Sequence, residues 1–92
     1  MTEDAARIDV WLWRARFFKT RSIAARFVEE GRVRATRAGA ETRLDKASRT
    51  VRPGDALMFV LGGRVFAVRV EALGERRGPA AEARALYVAL DA

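Results

Sequence analysis

The apolar residues of this chain keep helical spacing up to Gly31 and strand-like alternation begins after it. That change of period commits the chain to helices layered on a sheet. Ile8, Trp11, Leu12 and Ala15 fall at helical intervals and predict a first helix from about Ile8 to Phe17. Asp9 sits in its first turn, where a carboxylate favours the helix dipole. The segment Lys19-Thr20-Arg21-Ser22 breaks the pattern, and Thr20 or Ser22 can cap a second helix running to about Glu30. Its stripe is Ile23, Ala24, Phe27 and Val28, which leaves Arg21 and Arg26 outward. Gly31 then stands where a left-handed residue closes a helix.

Past Gly31, Val33 begins a short strand flanked by Arg32 and Arg34, and a polar loop is expected over residues 36–48. Thr50 and Val51 lead into a tight turn at Pro53-Gly54-Asp55 and a strand at Ala56–Leu61. Gly62-Gly63 joins that strand to another over Arg64–Ala72, a strong hairpin signal. Pro79 opens a third helix, expected over residues 79–90, with Ala80, Ala83, Leu86, Tyr87 and Leu90 at helical spacing. The expected fold is α+β: two N-terminal helices packed on a small, mainly antiparallel sheet, with a short C-terminal helix. With 92 residues the chain is expected to form one domain over 7–92, behind a disordered tail at 1–6.

Charge is distributed unevenly. The formal charge is +6, and all of it lies in residues 1–52, which hold thirteen Arg and Lys against seven Asp and Glu; residues 53–92 balance. Between Val10 and Val28 the cations Arg14, Arg16, Lys19, Arg21 and Arg26 interleave with Trp11, Trp13, Phe17, Phe18 and Phe27, and no carboxylate interrupts them. A one-signed run of this kind is the footprint of a surface that meets a polyanion, whereas solubility alone is served by mixed signs. Sixteen of the eighteen cations are Arg. The planar guanidinium grips phosphate bidentately and stacks on bases, although a GC-rich genome produces the same bias.

The composition also excludes chemistry. Neither Cys nor His occurs, which removes thiol nucleophiles, imidazole bases and the usual zinc ligands together. Asp9, Asp45 and Asp55 are accounted for by a helix start and turns. No cofactor, metal or small-molecule substrate is expected, and the chain is read as a binder and not an enzyme. The longest apolar runs, residues 56–61 and 85–90, are far too short to span a bilayer, and the acidic N-terminus lacks the regions of a secretion signal. A cytoplasmic monomer with no membrane partner is expected.

Thr20, Arg21 and Ser22 carry the most interpretable local chemistry: hydroxyls and a cation beside the N–H groups that open a helix suit a phosphate. An ordinary cap needs only one hydroxyl, and here Lys19 and Arg21 flank it. Trp11 is assigned to the core. Trp13 and Phe17 lie off the apolar stripe and are left open between the core and base stacking. Arg76 and Arg77 either extend the basic face or solvate a turn.

The string RIDVWLWRARFFKTRSIAARFVEEGRV, Arg7 to Val33, resembles the opening of the S-four domain, the αL RNA-binding module, and is most similar to the fifteen-kilodalton ribosome-associated heat-shock family. The family pattern Arg-hydrophobic-Asp-x-Trp-Leu-Trp, Ala-Arg-Phe and Lys-Thr-Arg-Ser is met by Arg7 to Trp13, Ala15 to Phe17, and Lys19 to Ser22. Lys46 and Ser48 before Val51, Gly54-Asp55, and the stretch from Gly74 to Tyr87 match as well. Val10 stands where the family usually has Lys, and Ala35-Thr36-Arg37 where an Asn-Gly turn is expected. The resemblance implies an αL core over 7–55 followed by a hairpin and helix over 56–92. It also implies binding to large-subunit ribosomal RNA, and recognition of a free large subunit still carrying a nascent chain on transfer RNA, in translation stress or rescue. The candidate RNA contacts are Arg7, Arg14, Arg16, Lys19, Thr20, Arg21, Ser22, Arg26, Arg32, Arg34 and Lys46. An accessory module of an RNA-modifying system and a DNA-binding helical pair are the rival readings.

Overall fold

A computed structural model describes residues 4–90. The chain runs β1 (Ala6–Arg7), α1 (Ile8–Arg14), α2 (Arg21–Glu29), β2 (Val33–Arg37), β3 (Ala40–Leu44), β4 (Thr50–Val51), β5 (Ala56–Leu61), β6 (Arg64–Val70), α3 (Ala80–Arg84) and β7 (Tyr87–Ala89). Strands β3-β2-β5-β6-β7 form one sheet in that order, and every neighbouring pair is antiparallel. A separate β1-β4 pair joins Ala6 to Val51 and Arg7 to Thr50. Ala6 of the expected tail is thus part of a strand, while residues 1–3 lie outside the described residues.

Both N-terminal helices form where their spacing predicts, but α1 is shorter than expected. Ala15 closes it, and Arg16 turns left-handed at φ 67°. The amide of Phe17 bonds back to the Leu12 carbonyl, which drops the Phe17 ring into the core. The Thr20 side chain caps α2, and Gly31 ends the turn that follows it at φ 76°. One face of the sheet receives the helices. Trp11, Leu12, Phe27 and Val28 pack with Val33, Leu57, Phe59, Val68 and Val70 into one apolar cluster. Phe17 bridges the layers, its ring 5.2 Å from Phe59 and 5.4 Å from Phe66.

Two expectations fail, each for a tertiary reason. The segment 36–48, expected as a polar loop, makes the second strand of a β2–β3 hairpin, with Arg37 paired to Ala40 across Ala38-Gly39. Both turn residues have positive φ, 51° and 82°, as a two-residue hairpin loop with the right twist demands. The turn therefore lies at Ala38-Gly39, beyond Ala35-Thr36-Arg37. The strand that follows is polar because both its faces are largely in water, so it lacks the apolar alternation that announces a strand. The helix expected over residues 79–90 stops after Arg84, and Tyr87–Ala89 pairs with Val68–Val70 as a sheet edge. Pairing with β6 satisfies a row of its backbone groups that a helix would leave open. By contrast, the Gly62-Gly63 hairpin forms as read, Leu61 facing Arg64.

Candidate nucleic-acid interface

The N-terminus of α2 gathers the exposed polar groups. Thr20 Oγ1 accepts the Ile23 amide at 3.1 Å and lies 3.2 Å from Ser22 Oγ. A hydroxyl cap of this kind is worth about 1 kcal/mol. Lys19, Arg21, Ser22 and Arg26 are all exposed, and Ser22 and Arg26 share a helix face four residues apart. Among the described residues none of these three cations meets a carboxylate. The capped helix end and its cations thus form a positive surface with its charge uncompensated.

Other candidate contacts are placed around it with different partners. Lys46 is exposed in the loop whose Arg49 and Ala47 carbonyls accept the Ile8 and Asp9 amides, so it lies at the start of α1. Arg7 is bonded through Nε and Nη2 to the buried carboxylate of Asp9 at 3.1 and 3.0 Å; that hydrogen bond and the Asp9 charge hold its pKa above the ordinary value. Arg32 pairs with Glu30 at 3.3 Å and covers the Phe27 ring, and Arg34 pairs with Glu41 at 2.9 Å. These three are half-exposed but already matched by carboxylates.

Arg14 and Arg16, both candidate RNA contacts, reach carbonyls of the 73–78 segment, Arg14 half-buried and Arg16 exposed. Arg14 Nη1 donates to the Gly74 carbonyl at 2.8 Å and to that of Leu73 at 3.4 Å; Arg16 Nε donates to Gly78 at 2.8 Å. The physical cause is the early end of α1, whose exit carries both side chains over the 72–78 segment. Arg77 returns the contact, donating to the Trp13 and Phe18 carbonyls at 3.2 and 3.5 Å with its guanidinium 6.0 Å from the Trp13 ring. Trp11, fully buried, donates Nε1–H to Ala72 at 2.9 Å. The joint that presents Lys19 to Ser22 is therefore stitched to the far end of the chain. Sequence reasoning left Arg77 open, because spacing along a chain gives no sign of contacts some sixty residues away.

A cleft of about 350 Å³ between the β2–β3 hairpin and β4 is lined by Arg37, Thr42, Arg49, Thr50 and Asp55, among others. Its one carboxylate is engaged: Arg37 donates to Asp55 from Nε and Nη2 at 2.9 and 2.8 Å, and the Arg52 amide donates at 2.9 Å. Burial pushes the Asp55 pKa up, but the bonds and charges of Arg37 and Arg52 outweigh it and hold it below the ordinary value. Such a group is a poor proton acceptor near neutrality. Among the described residues no cluster suited to a metal ion occurs, and no helix is long and apolar enough to cross a membrane.

Comparison with known proteins bears on the same elements. The S4 domain profile matches residues 6–34, from β1 through both helices into β2. The trimeric heat shock protein 15 of Vibrio cholerae superposes with a TM-score of 0.80 at 35% identity, over 94% of this chain and 82% of that one. The chain belongs to the heat shock protein 15 family. The Haemophilus influenzae heat shock protein 15 homolog is 39% identical over 87 residues, 95% of this chain and 63% of the relative. Heat shock protein 15 of Escherichia coli K12 is 38% identical over 81 residues, 88% of this chain and 57% of the relative. The chain thus spans 57–63% of the length of those two relatives. The S4 match ends at residue 34, so the 72–78 segment that holds the helical joint lies outside it but inside the family resemblance.

Proposed function

We propose that this chain binds structured RNA through the α2 N-terminus and the loop at the start of α1, docking on ribosomal RNA of the large subunit. The observation that carries the reading is the cluster Lys19, Arg21 and Arg26, exposed and without carboxylate partners around a hydroxyl-capped helix end. Thr20, Ser22 and Lys46 complete the phosphate contacts; Arg7, Arg32 and Arg34 flank them, and Arg14 and Arg16 hold the joint. Phosphates fix the register, and RNA shape selects the place. The protein acts by occupancy and not by catalysis, in the cytoplasm, on large subunits that carry a nascent chain on transfer RNA under translation stress. The binding unit is residues 7–92. As the expected monomer it presents one such face; an assembly like the trimeric Vibrio relative would present several.

Sedimentation of ribosomal subunits tests the target. The protein is expected in the large-subunit fraction at low salt and absent from it at high salt, with the RNA chemically unchanged. Four carboxylate-free cations predict a log–log salt slope of about −3 to −4 for binding. A slope shallower than about −2 refutes the electrostatic docking reading, and binding to duplex DNA as tight as to structured RNA at the same salt refutes the choice of RNA.

A further inference from the structure

The helical layer covers only part of the inner face of the sheet, and the β2–β3 hairpin overhangs it. Three register pairs of the hairpin share that face: Val33 with Leu44, Ala35 with Thr42, and Arg37 with Ala40. The first pair is buried in the apolar cluster beneath the helices, Ala35 is half-buried at its margin, and Thr42 and Ala40 are exposed. Small side chains at the overhang leave the space between it and β4 unfilled. The resulting cleft of about 350 Å³ lies within the ~300–1,000 Å³ of pockets that hold small organic ligands.

The lining combines three kinds of surface. Ala35, Ala40 and the buried Leu44 give an apolar floor, to which Thr42 and Thr50 add two hydroxyls. Arg37, with Nε and Nη2 both bonded to Asp55, holds its guanidinium as a fixed plane in the wall while its side chain stays half-exposed. A guanidinium plane fixed in this way is a surface on which a base stacks. Arg49 is exposed and, among the described residues, meets no carboxylate. The only carboxylate lining the cleft, Asp55, is already matched by Arg37 at 2.8 Å, so Arg49 leaves the site one positive charge in excess. That charge favours an anion; the apolar floor and the stacking plane suit a flat ring joined to it.

We propose that this cleft seats one nucleotide, its phosphate on Arg49 and its base against the Arg37 guanidinium over the alanine floor. Its source is an unpaired nucleotide of the bound RNA, an assignment that rests on the RNA-binding reading. Arg49 belongs to the same turn as Lys46, its amide donating to the Lys46 carbonyl at 3.0 Å, so a strand that crosses the Lys46 loop arrives at the cleft. A paired nucleotide does not enter, because its base is held in the stack. The cleft thereby supplies what a phosphate-gripping surface lacks, a preference for RNA with a base turned out.

Two titrations separate a free nucleotide from one carried by RNA. In the first, adenosine monophosphate is added to the chain without RNA and amide NMR signals are followed. Those of Thr42 and Thr50 are expected to shift, saturating in the millimolar range, and adenosine, which lacks the phosphate, to shift them less. Arg49→Gln removes the phosphate contact and Ala40→Leu fills the floor; both sites are exposed, and each change is expected to weaken the nucleotide several-fold. Arg43→Gln removes the same charge from the opposite face of the hairpin, where the register sets Arg43 across from Arg34, and leaves binding unchanged. In the second, a short RNA duplex with one bulged nucleotide is compared at low salt with the same duplex fully paired. Wild type is expected to bind the bulged duplex about tenfold tighter, and Ala40→Leu to bind the two alike. A nucleotide that moves neither threonine amide, or that binds Arg49→Gln and Ala40→Leu as it binds wild type, overturns the proposal. Equal binding of the two duplexes by wild type, or a bulge preference that survives Ala40→Leu, overturns RNA as the source. Binding of neither duplex refutes the RNA-docking reading itself, and the free-nucleotide titration then decides the cleft alone.

Discussion

Replacing Asp55 by Asn tests whether a buried ion pair, and not merely a close one, holds the hairpin to the rest of the sheet. Asp55 is 3% exposed and accepts three hydrogen bonds, two from Arg37 and one from the Arg52 amide. Asn conserves volume, so no cavity term enters, but its NH2 group would point a donor at donors. The Arg37 side chain is about half exposed, which limits the pure Coulombic part to roughly 0–1 kcal/mol. The hydrogen bonds to a buried carboxylate supply the rest, and the expected loss is about 2–3 kcal/mol, or roughly 10–20 °C in Tm for a chain of this size. Glu71→Gln is the control. Its pair with Arg69 has the same 2.8 Å separation but is exposed on both sides, so its expected loss is below about 0.5 kcal/mol. The pH dependence follows from the lowered Asp55 pKa. A depressed carboxylate stabilises fully above its unfolded value, near 4, and that contribution disappears as pH falls through the lower folded value. Urea unfolding of wild type and Asp55→Asn at pH 7 and at about pH 2.5 should therefore show a gap that closes in acid. A gap under about 1 kcal/mol at pH 7, or one that persists undiminished in acid, would refute the argument.

Arg21→Glu is expected to weaken RNA binding by about 1–3 kcal/mol while Arg69→Glu, on the far side of the sheet, changes it little; parallel titrations of folded variants decide, and equal losses defeat the assigned face. Arg77→Lys keeps the charge but loses the fork that bonds the Trp13 and Phe18 carbonyls, so stability should fall by about 1 kcal/mol and RNA affinity several-fold, at an unchanged salt slope. A slope reduced by about one would instead make Arg77 a direct phosphate contact. Ala38→Gly relieves a non-glycine residue held at φ 51° in an exposed turn and is expected to raise stability by about 0.5–1 kcal/mol; a thermal melt that falls instead would mean the turn tolerates Ala without strain.

Sequence alone settled the features whose causes are local. The helical spacing of Ile8, Trp11 and Leu12, the Thr20 cap, the Gly31 stop and the Gly62-Gly63 loop each depend on a few neighbouring residues, and all appear where the chain reads them. The charge imbalance likewise needs no coordinates. Tertiary structure decided what depends on a distant partner. Strand β3 is polar on both faces and forms because β2 lies beside it, and Tyr87–Ala89 leaves helical spacing because β6 offers unpaired backbone groups. The basic run could not be divided into surface and scaffold from its order in the chain. Arg14 and Arg16 stand among the same cations as Lys19 and Arg21 and, like them, meet no carboxylate among the described residues, yet the first two donate to carbonyls at Leu73, Gly74 and Gly78. A side chain's charge is written in the sequence; whether that charge is already matched depends on which distant groups the fold brings within about 3 Å of it.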